Sequence, residues 1–265
     1  MREAPPRWLP AAPLVFLGLW SGGFAVGKVG LEHAAPLTIL VLRYAIVVAI
    51  LLPLVPLMRP PLPATRRAWV DLLVVGLLIQ AAYFGLSYIA MDAGISAGAL
   101  ALIVSLQPLL VGLLVPRLAG EHVGRVRWVG LVLGLVGAVL VIVGRSEVEA
   151  TRVGGIVAGV GALLSITGGT LYEKRYGTSQ HPVTANIVQC AVGLVALLPV
   201  AVLHEGLRVS WTPAFAGALA YLVLGNSIVS LTLLLAMIRH GEAARVSALF
   251  FLVPPLAALI AWAVL

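Results

Sequence analysis

The sequence predicts an all-α polytopic membrane protein made of two copies of one helical unit, the second inverted in the bilayer. Three observations predict it: an apolar excess, nine runs of membrane-crossing length, and a match of the chain to itself at one fixed offset. Of the 265 residues, 61% are hydrophobic and 10% charged, and the mean hydropathy is +1.09. Soluble domains carry roughly 45–50% apolar and about 25% charged residues, because their large surface has to be covered by polar groups. Lipid as solvent removes that requirement. The basic balance, formally +7 with a pI of ≈ 10.2, does not make a nucleic-acid footprint. The 17 Lys and Arg are scattered through short gaps rather than gathered in one patch with aromatic residues between them. No nucleic-acid partner is expected; the lipid bilayer is.

The runs are 11–31, 36–57, 69–91, 96–118, 126–144, 153–173, 183–203, 213–238 and 243–265. A spanning helix needs about 20 apolar residues. Backbone groups left unpaired in lipid are too costly for anything but helices or a closed barrel. Barrel strands would alternate over about ten residues, and these runs are apolar all round. The gaps carry turn residues: Arg59-Pro60-Pro61, Gly120-Glu121-His122, Gly177-Thr178-Ser179 and Glu205-Gly206. The first run is too long for a signal-peptide core and another follows at once, so it is read as a span. With the N-terminus inside, twelve Lys and Arg fall in inner segments and four (Lys28, Arg145, Arg152, Arg208) in outer ones, Arg43 being left within a run. The positive-inside rule then predicts a multi-pass protein of the cytoplasmic (inner) membrane with a cytoplasmic N-terminus. The one cysteine, Cys190, lies in an apolar run and has no partner for an internal disulfide.

Shifted by 146 residues, the chain matches itself without gaps. Gly22-Gly23 falls on Gly168-Gly169, Lys28 on Lys174, Pro36 on Pro182 and Thr38 on Thr184. Leu51-Leu52-Pro53 falls on Leu197-Leu198-Pro199, Gln80 on Asn226, Ala90-Met91 on Ala236-Met237 and Pro108 on Pro254. Similarity among apolar segments does not supply Gly-Gly, Lys and three prolines in one register. The first copy, residues 1–146, holds five runs, an odd number, so the second, 147–265, enters from the opposite face. That is the inverted-repeat architecture of secondary transporters, with a site near the midplane between copies. The second copy shows four runs, its last residue, Leu265, matching Ala119. A tenth run, truncated or absent, is expected to complete it.

Candidate site residues follow from polarity within the runs. In the first run, Trp20, Gly23, Phe24 and Gly27 share one helical face, and Trp20 is a candidate cavity wall. Gly22-Gly23 and Gly168-Gly169 are candidate hinges or close contacts. Arg43, in the second run, is an ionisable group at membrane depth, a functional candidate by default, suited to a substrate carboxylate. The third run carries Gln80, Tyr83, Phe84 and Ser87 on one face, with Tyr88 beside them; the eighth carries Asn226 and Ser230 at matching positions. Pro108 and Pro254 interrupt the fourth and ninth runs, which makes Ser105, Gln107 and Phe250 candidates, because broken helices in matching halves point to a transporter site. Lys28 and Lys174 close the first and sixth runs, where a cation suits the helix dipole.

The stretch Leu19-Trp20-Ser21-Gly22-Gly23-Phe24, followed by Lys28, Ala35-Pro36 and Arg43, resembles the opening of an EamA domain. So do Ala90-Met91, Ser96-Ala97-Gly98, Leu106-Gln107-Pro108, Gly120-Glu121 and Trp128-Val129-Gly130, with Gly241-Glu242-Ala243-Ala244 and Val253-Pro254 in the second copy. The resemblance implies the drug/metabolite transporter superfamily: ten helices, two inverted EamA repeats, and export of small metabolites such as amino acids. The chain is similar to bacterial exporters of aromatic and other neutral amino acids.

The expected function is secondary transport of a small organic solute, by alternating access at a midplane cavity. No phosphate-binding loop is present. No paired acid, base or metal ligands stand at one depth, so neither enzyme chemistry, metal nor cofactor is expected. The rival readings are a non-transporting receptor or scaffold and, further off, an intramembrane enzyme. A monomer or weak oligomer is expected. Asp71, Asp92 and Glu173 sit near the ends of their runs, which predicts a facilitator or exchanger without a buried carboxylate.

Overall fold

The computed structural model describes residues 9–118, 124–145, 153–177, 180–240, 246 and 248–264. The Gly120-Glu121 and Gly241-Glu242 pairs lie outside them. The first repeat contributes α1 (Ala12–Leu31), α2 (Pro36–Leu57), α3 (Arg66–Asp92), α4 (Ala97–Leu118) and α5 (Arg125–Arg145). The second contributes α6 (Val153–Tyr176), α7 (Pro182–His204), α8 (Pro213–His240) and α9, a 3-10 segment Ala248–Leu252 leading into the helix Val253–Val264.

Among the described residues, seven helices are long and apolar enough to cross a membrane: α1 to α4 and α6 to α8. The expectation of nine is corrected to that extent. In α5 the apolar stretch is Trp128–Gly137, between arginines at both helix ends, and in α9 it is Ala248–Ala257, divided between 3-10 and α-helix.

Local chemistry sets the helix starts in the same way in both halves. Proline opens α2 and α7, where its missing N–H is one of the unpaired groups of a first turn. Thr65 Oγ1 accepts from Ala68 N at 3.2 Å at the start of α3, and Thr212 Oγ1 from Phe215 N at 3.1 Å at the start of α8. Each of these two helices then contains a π-helical segment, Leu77–Tyr83 and Leu222–Ser230. π-helix is rare and concentrates at functional sites. The fourth run breaks at Ser105-Leu106, and Pro108 stands second in the helix that follows; Pro254 stands second in the helix Val253–Val264.

The halves interlock reciprocally. α2 packs on α7, α1 packs on the π segment of α8, and α6 packs on the π segment of α3. α2 and α7 run antiparallel. At one end Leu37 N, Thr38 N and Thr38 Oγ1 donate to the Glu205 carboxylate at 2.7–3.0 Å; at the other, Thr184 Oγ1 donates to Pro61 O at 3.0 Å. Lys28 Nζ donates to Met91 O in the last turn of α3, and Lys174 Nζ to Ile238 O near the end of α8, both at 3.4 Å. Each cation meets the carbonyl-rich end of a helix, where the dipole favours it.

The repeated glycine pairs have a packing reason at three of four positions. A Cβ on Gly22 would lie 2.2 Å from Tyr221 Oη, one on Gly23 2.5 Å from Asn226 Nδ2, and one on Gly169 2.6 Å from Ile79 Cγ1. At Gly168 the nearest neighbour would be Leu78 Cδ1 at 4.0 Å. The first three let α1 approach α8, and α6 approach α3, more closely than any side chain allows.

Candidate functional site

Where α1, α2, α3 and α8 meet, a narrow cavity opens between the two halves. Trp20, Phe24, Tyr83, Phe84 and Met91 form its apolar walls; Arg43, Ser87, Tyr88 and Asn226 supply its polar groups. Its free interior is ≈ 20 Å³, room for about one water. An organic solute therefore enters only if the walls move.

Arg43 organises the cavity. It is the eighth residue of α2 and 1% exposed. A charge at that depth costs about 2.5–3.5 kcal/mol on insertion scales, so its partners matter. Nη2 donates to Asn226 Oδ1 at 2.7 Å and Nε donates to Ser227 Oγ, both on the π segment of α8. The guanidinium also lies 4.4 Å from the centroid of the Phe84 ring, a cation–π geometry. Nη1 is buried with no hydrogen-bond partner, as are Ser87 Oγ and Tyr88 Oη. The arrangement leaves one guanidinium donor and two hydroxyls for an acceptor-rich group, against aromatic walls for an apolar one. The first repeat supplies the cation and the second supplies the amide and hydroxyl that hold it.

The aromatic wall is itself packed. Trp20 stacks parallel to Tyr83 with centroids 6.4 Å apart and meets Phe84 and Phe250 at 5.7 Å each. Phe16 lies 5.2 Å from Trp20 and 5.7 Å from Phe250.

Of the residues singled out from sequence, Trp20, Gly23, Phe24, Arg43, Tyr83, Phe84, Ser87, Tyr88 and Asn226 come together around the cavity. The others lie elsewhere. Gln80 is fully buried beside α7, with neither amide atom hydrogen-bonded. Ser230 is buried without a partner for Oγ. Ser105 Oγ donates to Leu102 O at 2.6 Å, within its own helix turn. Gln107 Nε2 donates to Thr170 Oγ1 at 3.2 Å and ties α4 to α6. Phe250 backs Trp20 from behind. Ser227 and Met91 were not singled out as site residues. Ser227 adjoins Asn226, and its hydroxyl is as near to Arg43 as the amide is.

Glu173 stands near the end of its span, Val153–Tyr176, as expected, but it is buried there, against the expectation of a carrier without a buried carboxylate. Its side chain is 3% exposed and accepts from Gln189 Nε2 at 3.3 Å. Gln189 is the eighth residue of α7, about 10 Å along the helix from its start at 1.5 Å per residue. Asp71 is also buried, but its Oδ1 accepts from Arg67 Nε at 3.1 Å and from Tyr172 Oη at 2.8 Å. Among the described residues, no group of three or more His, Cys, Asp or Glu is placed to hold a metal ion.

The chain resembles known proteins along most of its length. The model of the EamA-like transporter family matches residues 11–143 and again 153–265. The chain is 26% identical over 257 residues to an uncharacterized transporter of Bacillus subtilis (strain 168), covering 94% of this chain and 81% of that protein. It is 26% identical over 244 residues to an uncharacterized inner membrane transporter of Escherichia coli (strain K12), covering 91% and 78%. It is also 26% identical over 254 residues to a probable amino-acid metabolite efflux pump of Salmonella typhimurium (strain LT2), covering 91% and 81%. A solved crystal structure superposes with a TM-score of 0.76 at 18% identity, over 96% of this chain and 93% of that one, a likeness of fold.

Proposed function

The chain belongs to the EamA-like transporter family of the drug/metabolite transporter superfamily, and on that footing we propose that it exports a neutral, zwitterionic amino acid or a close analogue by alternating access. It is a multi-pass membrane transporter and not an enzyme. The carrying observation is Arg43, held by Asn226 and Ser227 across the junction of the two repeats in an aromatic-walled cavity. A substrate carboxylate takes the guanidinium; an apolar side chain takes the ring faces of Trp20, Tyr83 and Phe84. Because the cation and its holders sit on different repeats, movement of one repeat against the other makes and breaks the site, which is what alternating access requires.

The two repeats, 1–146 and 147–265, are inverted relative to each other in this reading. The antiparallel α2–α7 pair supports that, because these helices correspond at the 146-residue offset. The N-terminus is cytoplasmic by the distribution of Lys and Arg, and the membrane is the inner one, as for the E. coli relative. The prolines at 108 and 254 serve as the kinks about which half-helices move, and Gly22-Gly23 and Gly169 as the contacts along which α1 and α6 slide.

Purified protein in liposomes tests this by counterflow of tritiated phenylalanine and leucine. The expected result is saturable exchange well above protein-free liposomes. Equal flux with and without protein across a panel of neutral amino acids contradicts the substrate class and returns weight to a receptor or scaffold.

A further inference from the structure

The repeat offset places a second polar cluster opposite the Arg43 cavity. Gln189 occupies in α7 the position that Arg43 occupies in α2, and Glu173 occupies in α6 the position of Gly27 in α1. In the first half, Gly27 leaves room for Tyr88, whose Oη a Cβ there would meet at 2.9 Å. In the second half, that space is filled by a carboxyl group. The first half thus carries a cation on α2 where the second has Gln189, and the second carries a carboxyl on α6 where the first has Gly27.

The surroundings of Glu173 are unusual for a carboxylate. Its hydrogen-bond partner is the neutral amide of Gln189. Gln189 is fully buried, and its Oε1 has no hydrogen-bond partner. An ionised carboxylate accepts only, so it offers nothing to that oxygen. A protonated carboxyl does: a carboxylic acid and a primary amide satisfy each other in both directions, N–H to C=O and O–H to C=O. One proton on Glu173 supplies the hydrogen that Gln189 Oε1 lacks, and it removes a buried charge.

The other titratable or charged groups on the elements packed around Glu173 are engaged elsewhere. On α3, Asp71 takes Arg67 and Tyr172. Along its own segment, Lys174 donates to Ile238 O, and Arg175 lies over the Tyr176 ring. On α7, Cys190 donates to Asn186 Oδ1. At the end of α8, Arg239 donates to Gln180 O, and His240 Nδ1 contacts Ala236 O at 2.9 Å.

From this we infer that Glu173 is a proton-binding site that couples solute movement to a proton. In the conformation described here the carboxyl holds the proton against Gln189. When α6 and α7 part on the face bearing Lys174 and Arg59, the O–H bond breaks and the proton passes to water on that face. Reprotonation in the return step restores the amide pair. Only that O–H bond is made and broken. This inference rests on reading the chain as a carrier.

Two measurements test it. Infrared difference spectra of the full-length protein in detergent, taken between acidic and alkaline buffer, report carboxylic-acid C=O directly and need no solute. The wild type is expected to show a band that disappears on alkalinisation and is missing in Glu173→Gln. A wild type without that band, or a Glu173→Gln variant that keeps it, overturns the inference. In liposomes, Glu173→Gln is expected to keep phenylalanine counterflow while its ratio of flux with and without an imposed proton gradient falls to about one, the value for zero coupling. Glu173→Asp, which keeps a carboxyl, is expected to retain a ratio above one. A gradient response in Glu173→Gln equal to that of the wild type, or a response to sodium in place of protons, also overturns it. Absence of phenylalanine flux in every variant, with the infrared band present and lost in Glu173→Gln, counts against the amino-acid reading alone.

Discussion

Arg43→Gln is expected to weaken phenylalanine binding by about tenfold to a hundredfold, because it removes the guanidinium a substrate carboxylate would meet. Hydrogen bonds to charged groups contribute about 1.5–3 kcal/mol, and each 1.4 kcal/mol is tenfold in affinity. The fold should tolerate the change. Gln is shorter than Arg but donates and accepts, so Asn226 Oδ1 and Ser227 Oγ are not left facing an apolar stub. The desolvation of a charge at 1% exposure is removed at the same time. Arg43→Lys separates charge from geometry. Lys keeps the charge but lacks the planar fork that spans Asn226 and Ser227, and it should lose most of the same affinity. The check is the half-saturation concentration for counterflow, with thermal unfolding in detergent as the control for folding. Unchanged affinity in folded Arg43→Gln removes Arg43 from the site.

Gly23→Ala is the second large effect. The added Cβ would sit 2.5 Å from Asn226 Nδ2 and 3.2 Å from Asn226 Cγ, well inside van der Waals contact. Asn226 cannot turn away freely, because its Oδ1 holds Arg43 Nη2. The strain either lifts α1 from α8 or breaks the Arg43–Asn226 bond. Overpacking of this kind costs about 1–3 kcal/mol, and the cavity is lost in both cases. Counterflow is expected to fall about tenfold or more. Trimming the obstacle identifies the cause: Asn226→Ala combined with Gly23→Ala should be closer to Asn226→Ala alone than additive effects predict, the signature of two groups in contact. Strict additivity contradicts the contact.

Much of the helical fold was legible because lipid imposes a simple rule. Long apolar runs had to be helices, and seven of them are long enough to cross a membrane among the described residues. The register of the repeats was legible from Gly22-Gly23, Lys28 and Pro108, whose counterparts at Gly168-Gly169, Lys174 and Pro254 carry chemistry that apolar segments do not share by accident. Arg43 was legible as an ionisable group at depth, and Asn226 as the counterpart of Gln80. The π-helical segments were not, because a shift from i+4 to i+5 bonding leaves no mark in composition. Ser105 and Gln107 stand at a helix break, as expected, but their side chains are taken up by Leu102 O and Thr170. The burial of Glu173 was not legible, because it stands just before the turn residues Gly177-Thr178-Ser179, where nearness to the end of a run reads as nearness to water. The offset held the missing signal: Gln189 takes the place of Arg43, and Glu173 the place of Gly27 on the Trp20 face.

If the two repeats are inverted in the membrane, the ends of the corresponding helices α2 and α7 lie on opposite sides of it. Arg59 and Arg208 follow these corresponding helices, and both are exposed. Each is replaced in turn by cysteine in a Cys190→Ser background and treated in intact spheroplasts with a membrane-impermeant maleimide. Arg208→Cys should label at once, and Arg59→Cys only after the membrane is permeabilised. Labelling of both from the same side would contradict the inverted arrangement, and with it the carrier built on it.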